Sequence, residues 1–350
     1  MIDINVSNGN AVWIDDTGGI GNWVFMHYGA CDRAKIFNIR RISGSGDLVL
    51  MLAALIVHSA FGETFSQVEH IKSQGTVWSV DSDSGGRLYL CGAIHVLRSE
   101  DYPLAPAYEA AYMNSTRLVF ELPPGSNSAG IPRKRMQDVG ILPGDQSLQD
   151  MIGRTSWEGV EKLADIRKTS LGALARYRPW FAALTVAAIE YGSLGATPDK
   201  GVDSYFEARA AKDNKPGEGL ETVDFQLGLF TSLTAAQQEA LLKQTLAEAR
   251  NLPDRFTKML NAWKAGDLEA LHSALYDEAD QYPDLTDLFL HKRNKAWLAK
   301  LEEIMSKRDR VMVLVGAGHL AGEKGLIELL KGRGYKVERY SGQSVQGLPR

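Results

Sequence analysis

Cysteine is scarce in this chain, and its scarcity excludes two kinds of small domain. Only Cys31 and Cys91 occur among the 350 residues, so the chain is neither a disulfide scaffold nor a cysteine-based zinc knuckle. Charge of one sign is not in large excess either, because 39 Lys and Arg stand against 43 Asp and Glu, which leaves a net charge of -4. A dedicated nucleic-acid binder normally carries a basic surface, so we expect no nucleic-acid partner.

Long apolar runs are also lacking, which excludes a membrane protein with several spans. The one run that stands out covers residues 48–57. It is too short to cross a bilayer as a helix, which takes about 20 residues, but it has the length of the apolar part of a signal peptide. Arg40 and Arg41 precede it, and the small residues Ala60 and Gly62 follow it at the positions that a signal peptidase reads. We expect cleavage after Gly62; the alternative is a buried core helix.

A leader of this kind predicts a protein that leaves the cytoplasm and is periplasmic or secreted. Residues 1–62 would be that leader. In it an upstream extension, either an over-extended reading frame or a disordered tail, precedes the signal peptide. Residues 63–345 would form the functional domain, with no integral membrane segment left after cleavage.

The remaining sequence predicts an α/β fold with a large helical insertion. Apolar runs typical of strands occur near both ends of the domain, at residues 76–80, 87–91, 117–122, 310–315 and 335–339. Strand–helix–strand units at each end favour parallel pairing. Residues 153–306 between them mostly follow helical spacing. We therefore expect one mixed, mainly parallel sheet that takes strands from both ends of the chain, with 153–306 inserted as a helical cap.

Two segments share one pattern: an apolar strand, then a glycine and a histidine three residues apart, then a helix and another strand. Gly92 and His95 form the pair in the first segment, and Gly316 and His319 form it in the second. A single pair is weak evidence, because its histidine could merely cap a helix. Two pairs at equivalent strand ends are stronger, because ligands of open α/β sheets bind beyond the carboxyl ends of the strands. We expect the two imidazoles to lie close together, where they could bind one metal ion.

Glu121 is the acidic residue of an otherwise apolar stretch, Leu-Val-Phe-Glu-Leu. A buried carboxylate without a partner is costly, so this side chain needs one. The partner could be an arginine. It could instead be a metal ion, or a water molecule that the carboxylate deprotonates. The two prolines that follow Glu121 place it at the end of its strand.

These motifs together resemble the TraB/GumN family, which includes Tiki-type metalloproteases and is distantly similar to erythromycin esterases and haem-binding ChaN-like proteins. The resemblance covers about residues 70–340 and rests on the order of its motifs. The matching segments are Leu90-Cys-Gly-Ala-Ile-His95 with Val119-Phe-Glu121, Gly201-Val-Asp203 with Gly219-Leu-Glu221, Arg293-Asn294 with Trp297, and Val315-Gly316-Ala-Gly-His319.

The resemblance implies a site built from the two histidines and the glutamate. His95, His319 and Glu121 would be metal ligands, and Glu121 could instead be the general base. Arg293 or Asn294 would be an additional polar residue of the catalytic site, with Arg293 as the group that stabilises an oxyanion. The remaining candidates match family positions and are either catalytic or structural: Gly92, Gly316, Asp203 and Glu221.

The function that follows is a metal-dependent hydrolase of the metalloprotease kind, acting on a peptide or another small substrate. Imidazole and carboxylate ligands do not distinguish Mn, Co, Zn and Fe. The resemblance to Tiki-type enzymes favours Mn or Co, with Zn as a further candidate. The alternative is a non-catalytic extracytoplasmic protein that binds a peptide, a glycan or haem. The sequence does not predict an oligomeric state.

Overall fold

The computed structural model describes residues 74–126, 133–276 and 282–342, and three short strands before them. The strands β1 (Asp3–Ser7), β2 (Asn10–Ile14) and β3 (Ile20–Val24) form an antiparallel sheet. Residues 1–47 show no clear hydrophobic period, so the sequence does not predict these strands. The predicted signal peptide at 48–62 and the predicted domain end at 345 lie outside the described residues. The chain divides into two compact units, Met1–Glu69 and His70–Arg350.

The second unit is built on a six-stranded sheet. Its strands are β4 (Val77–Asp81), β5 (Arg87–Ala93), β6 (Arg117–Phe120), β7 (Gly217–Gly219), β8 (Arg310–Gly316) and β9 (Lys336–Arg339), in the order β7-β6-β8-β5-β4-β9. The pairs β6–β7, β6–β8 and β5–β8 are parallel, whereas β4 pairs antiparallel with both β5 and β9. The sheet is therefore mixed and mainly parallel, with strands from both ends of the unit, which confirms the predicted α/β class.

Helices surround the sheet and form most of the segment between its two ends. They are α1 (Pro106–Met113), α2 (Arg133–Gly140), α3 (Leu148–Met151), α4 (Arg154–Arg167), α5 (Leu171–Leu174), α6 (Pro179–Ser193), α7 (Val202–Lys212), α8 (Val223–Thr231), α9 (Ala235–Ala249), α10 (Leu252–Ala265), α11 (Leu268–Tyr276), α12 (Pro283–Thr286), α13 (Lys292–Ser306) and α14 (Leu326–Gly332). Local sequence explains several boundaries. Proline occupies the first turn of α1 and α6, and Gly266 ends α10 in the left-handed conformation. Within the described ranges, no helix is both long and apolar enough to cross a membrane.

The central strands are buried on both faces because their side chains alternate between two cores. In β5, Tyr89 and Cys91 pack into the core that α1, α7 and α10 cover, whereas Leu88 and Leu90 pack into the core that α13 and α14 cover. Each large apolar side chain buried in this way contributes roughly 1.5–3 kcal/mol. Helices α3–α6 and α9 share a separate apolar core, which holds the helical insertion together away from the sheet.

The strand order differs from the simplest arrangement of two strand–helix–strand units. Strand β8 lies between β5 and β6, so the two strands of the first unit are not neighbours. Strand β9 lies at the far edge and pairs with β4, not with β8. The predicted helical insertion also contains one strand, β7, which extends the sheet beside β6. This order makes β5 and β8 direct parallel neighbours, so the ends of the two Gly-x-x-His strands lie side by side.

Candidate functional site

The two histidines meet at the carboxyl edge of the sheet. Ala93 at the end of β5 pairs with Gly316 at the end of β8, and a 3-10 turn, Ala317–Leu320, carries the second histidine past that edge. His95 Nε2 lies 3.7 Å from Glu121 Oε1, and His319 Nε2 lies 3.9 Å from the same oxygen. Strand β6 ends one residue before Glu121. The predicted proximity of the two imidazoles is therefore confirmed, and the glutamate lies between them.

A separate acceptor holds the second nitrogen of each imidazole. His95 Nδ1 lies 3.2 Å from Asp203 Oδ1, and His319 Nδ1 lies 2.6 Å from Asn294 Oδ1. The amide of Asn294 is oriented by its Nδ2, which donates to the carbonyls of His319 and Lys324. Because neither acceptor can donate, each Nδ1 carries a proton, and each Nε2 faces Glu121.

The two imidazoles differ in charge because their surroundings differ. The side chain of His95 is 55% exposed; desolvation in the cleft opposes its protonation, but the charges of Asp203 and Glu121 outweigh it and raise the His95 pKa to about 9. Burial lowers the pKa of His319 to about 3, and nearby Arg293 adds to that effect against the attraction of Glu121. At neutral pH His319 is therefore neutral and His95 is protonated.

Glu121 has an arginine partner, which was the simpler of the two expectations. Its Oε2 accepts from Arg293 Nη2 at 2.6 Å, and its Oε1 accepts from the backbone N–H of Gly316 at 2.7 Å. Burial would raise its pKa, but His319, Arg293, His95 and the Gly316 N–H outweigh burial and hold it well below the usual value. Glu121 is thus a carboxylate that holds a proton poorly.

Every N–H group of Arg293 has an acceptor within the protein. Nε and Nη2 donate to Glu221, Nη2 also donates to Glu121, and Nη1 donates to the carbonyl of Phe289 and to His319 Nε2. A guanidinium has five N–H donors, so this set uses all of them. In this arrangement no N–H of Arg293 is free for a substrate oxyanion, which was its predicted role. Its contacts are those of a residue that holds the carboxylates in place.

Of the other predicted residues, Gly316 lies beside the histidines and Glu121, whereas Gly92 and Glu221 have structural contacts. A Cβ on Gly316 would lie 3.0 Å from His95 Nε2 and 3.3 Å from Glu121 Oε1, so this glycine leaves room for both side chains. Gly92 is structural, since its carbonyl accepts from Tyr108 and Trp263 inside the core. Glu221 supports the centre indirectly, because it binds Arg293 and accepts a hydrogen bond from the indole of Trp297.

A cleft of about 700 Å³ opens beside this centre, lined in part by His95, His319 and Gly316. Tyr276, at the end of α11, also lines it, and sequence reasoning missed this residue. A side chain at Gly318 would collide with the Tyr276 hydroxyl, so that glycine permits the close approach. Burial and the charge of Glu121 raise the Tyr276 pKa, so its phenol remains protonated and can donate a hydrogen bond. No sequence motif marks Tyr276; the fold alone brings it here.

The donor set is chemically suited to a divalent ion, although the atoms are not arranged as a finished metal site. Both Nε2 atoms and Glu121 Oε1 converge, and Asp203 and Asn294 give the imidazoles the outer support typical of metal ligands. The carboxylates of Glu121 and Glu221 both pair with the guanidinium of Arg293, while that of Asp203 pairs with the imidazole of His95. In the described ranges, however, no group of three His, Cys, Asp or Glu side chains is spaced to hold an ion.

Comparison with known proteins gives one family and a few distant relatives. The sequence model of the TraB/PrgY/gumN family matches residues 76–339. The uncharacterized protein YbaP of Escherichia coli is 24% identical over 69% of this chain and 87% of its own length. Metalloprotease TIKI1 of Danio rerio is 24% identical over 75% of the chain, and metalloprotease TIKI2 of Xenopus tropicalis is 22% identical over 71%. The matches cover 62% and 57% of those two proteins. No solved structure matches the chain significantly.

Proposed function

Because the chain belongs to the TraB/PrgY/gumN family, we propose that it is a metal-dependent hydrolase of peptide bonds, centred on His95, Glu121 and His319. The observation that carries the proposal is the approach of both imidazole Nε2 atoms to one oxygen of Glu121, at 3.7 and 3.9 Å. The names of the distant TIKI relatives, which are metalloproteases, support the same class of reaction.

The residues that would hold the ion are His95, His319 and Glu121, each through the atom that faces the common centre. A divalent ion supplies Lewis-acid polarisation of a carbonyl group. Two nitrogens and one oxygen suit Mn, Co and Zn alike. The resemblance to Tiki-type enzymes favours Mn or Co, with Zn as a further candidate. Of the two roles open to Glu121, ligand is better supported than general base, since its low pKa makes it a weak acceptor of protons.

The chain's own residues would orient the substrate and stabilise charge. Asp203 and Asn294 fix the imidazoles through their Nδ1 atoms, and Arg293 fixes Glu121 and Glu221. The Tyr276 hydroxyl has no hydrogen-bond partner among the residues described, and it lines the same cleft as the two histidines. We assign to it the donation of a hydrogen bond to the carbonyl oxygen that becomes negative in the transition state.

The test is hydrolysis of a fluorogenic peptide library by the full chain, after chelation and after addition of Mn²⁺, Co²⁺ or Zn²⁺. We expect turnover only with an added ion. His95→Ala should lose both turnover and ion binding, measured separately by equilibrium dialysis; folding should survive because this side chain is 55% exposed. His272→Phe, which removes the ring nitrogens of an exposed histidine on α11 but keeps its ring contact with Tyr276, is the matched control and should change neither.

Two results would count against this function. Turnover that survives chelation would remove the metal from the proposal. Stoichiometric capture of a peptide, glycan or haem without turnover would replace the hydrolase with an extracytoplasmic binding protein.

A further inference from the structure

One wall of the cleft beside the centre is apolar and lies on the helical insertion. Leu184, Ala187, Ala188 and Tyr191 on α6 contribute to it, and Phe289 contributes from a π-helical turn before α13. Among the described residues that line the cleft, none is Asp, Glu, Lys or Arg. An ionised group placed against the α6 wall, away from His95, would lose water without gaining a partner of opposite charge, so that wall disfavours charged ligands.

The same cleft reaches the proposed catalytic groups directly. His95, Gly316 and His319 form one end of its lining, and Tyr276 lies among them. A ligand in the cleft would therefore have its reactive bond at the histidines and its neighbouring groups against α6. The volume of about 700 Å³ exceeds what one side chain needs and lies within the range of small-molecule sites, roughly 300–1,000 Å³.

We infer that the apolar cleft is the specificity subsite of this enzyme and takes the large apolar residues of a peptide beside the bond that is cut. This inference rests on the hydrolase function proposed above. Two neutral polar side chains, Gln244 and Thr286, also line the cleft. The amide nitrogen of Gln244 donates to Glu248, so its oxygen and the Thr286 hydroxyl are the groups that can pair with a peptide. A fatty acyl chain would leave both facing hydrocarbon, so the lining favours a peptide over a lipid ester.

The inference is tested with peptides that differ only beside the scissile bond and with one variant that fills the cleft. The peptides carry Leu, Phe, Asp or Lys at the residue beside the scissile bond. An acyl ester of the same fluorogenic reporter serves as the lipid substrate. Ala188→Trp fills the cleft from an exposed position of α6, where a large side chain should not disturb folding. Ala247→Trp is the matched control: it is exposed on α9, outside the cleft lining.

The expected result is a kcat/KM at least about tenfold higher for Leu and Phe than for Asp and Lys, since apolar pockets discriminate at this level. Ala188→Trp should lower kcat/KM for Leu and Phe about tenfold or more, mainly through KM, while Ala247→Trp should match the wild type. Ala188→Glu should reverse the preference in favour of Lys.

Fluorescence anisotropy of the labelled Leu peptide separates this inference from the function on which it rests. Cleavage without preference, or insensitivity to Ala188→Trp, would overturn the subsite and leave the hydrolase intact. Binding of the Leu peptide that Ala188→Trp abolishes, with no cleavage of any substrate, would support the subsite and overturn the hydrolase. A preference for the acyl ester, or no binding of any peptide, would overturn the peptide subsite.

Discussion

The two imidazoles of the centre differ in burial and in the charge of their acceptors, and these differences set their protonation. His95 faces the carboxylate of Asp203, whereas His319 faces the neutral amide of Asn294 and the guanidinium of Arg293. The first pKa is raised to about 9 and the second is lowered to about 3. The burial of His319 and the carboxylates beside His95 therefore determine which histidine carries charge before any ligand binds.

Removing the charge of Asp203 should change His95 without unfolding the protein. Asp203→Asn keeps the size of the side chain but removes the main attraction that raises the His95 pKa, so that pKa should fall from about 9. NMR titration of the imidazole measures this shift in the metal-free chain. Outer-shell changes of this kind typically cost about 10–100-fold in metal affinity or activity. Asp199→Asn, on an exposed residue nearby, is the control; an unchanged His95 pKa in Asp203→Asn would contradict the assignment.

Gly316 gives a steric test of the centre. Its φ of -48° and ψ of 133° are open to alanine, so Gly316→Ala should fold. The added Cβ would lie 3.0 Å from His95 Nε2 and would shift that imidazole by a few tenths of an ångström, so activity should fall, though by less than the roughly 100-fold that a misplacement of about 1 Å can cost. Gly228→Ala, where a Cβ meets no atom within 4 Å, should leave activity unchanged. Full activity in Gly316→Ala would show that the His95–Glu121 spacing is not needed.

Tyr276 should matter for the rate more than for substrate binding. Tyr276→Phe removes only the hydroxyl, and loss of one donor to an oxyanion typically lowers kcat about 100–1,000-fold. Steady-state kinetics should show this loss in kcat with KM little changed, and circular dichroism should show an intact fold. Tyr205→Phe, at a half-exposed tyrosine on α7, is the control. A change in KM alone would assign Tyr276 to substrate binding.

At the scale of secondary-structure elements, the sequence predicts the site better than the strand order. The Gly-x-x-His pairs follow apolar strands, and this alone is enough to place both histidines at carboxyl ends of one sheet. The position of β8 between β5 and β6 depends on which strands pack together, and no local pattern records that choice. The same is true of β9, a short strand whose side chains are mostly exposed and which pairs at the far edge.

The residues that sequence reasoning missed or left open depend on contacts between distant elements. Tyr276 reaches the centre from α11 because Gly318 has no side chain, and neither residue is unusual in its own segment. Arg293 could be placed in the site by its motif, but its lack of a free donor follows only from the positions of Glu221 and Phe289. The motifs therefore indicate which residues lie together at the site, whereas the fold determines which hydrogen bonds each of them can still make.

An ion cluster around the buried carboxylate of Asp101 joins the 3-10 turn that follows β5 to α10 and predicts a dependence of stability on pH. Asp101 accepts from the backbone N–H and guanidinium of Arg98 and from Lys264 on α10. Burial would raise the Asp101 pKa, but the hydrogen bonds outweigh it and lower that pKa. Its contribution to the free energy of unfolding is therefore complete above the unfolded-chain pKa of about 3.9 and lost as pH falls through the lower folded value.

Asp101→Asn should lower the free energy of unfolding at pH 7 by about 1–3 kcal/mol, because a charged acceptor of buried hydrogen bonds is lost. Urea titrations at pH 7 and at about pH 3 measure the difference from the wild type, which should shrink at the lower pH. Glu100→Gln is the control: this neighbour also pairs with Arg98, but it is largely exposed and should cost little. An equal loss at both pH values would mean that Asp101 acts through packing instead of charge.

At the scale of the whole molecule, the centre lies where the sheet meets the helical insertion. The sheet contributes the histidines and Glu121, while the wall of the cleft comes from α6 and the turn before α13. The insertion has its own apolar core, so its cleft-facing residues can change without loss of the sheet. Because the catalytic groups and the cleft wall come from different parts of the fold, substitutions in the wall could change the substrate preference without changing the catalytic groups.

The leader-like sequence of residues 48–62 predicts that the chain leaves the cytoplasm. If residues 48–62 are the end of a signal peptide, protein exported by a bacterial host should begin near Glu63, as N-terminal sequencing would show. Replacing Ala60 and Gly62 by leucine should block cleavage and leave a longer species in the membrane fraction, because the peptidase accepts small residues at these two positions. Phe61→Leu changes only the position between them and should be processed normally. Equal processing of all three forms, or recovery of the chain with Met1 intact from the cytoplasm, would contradict the leader and leave residues 48–57 as a buried core segment.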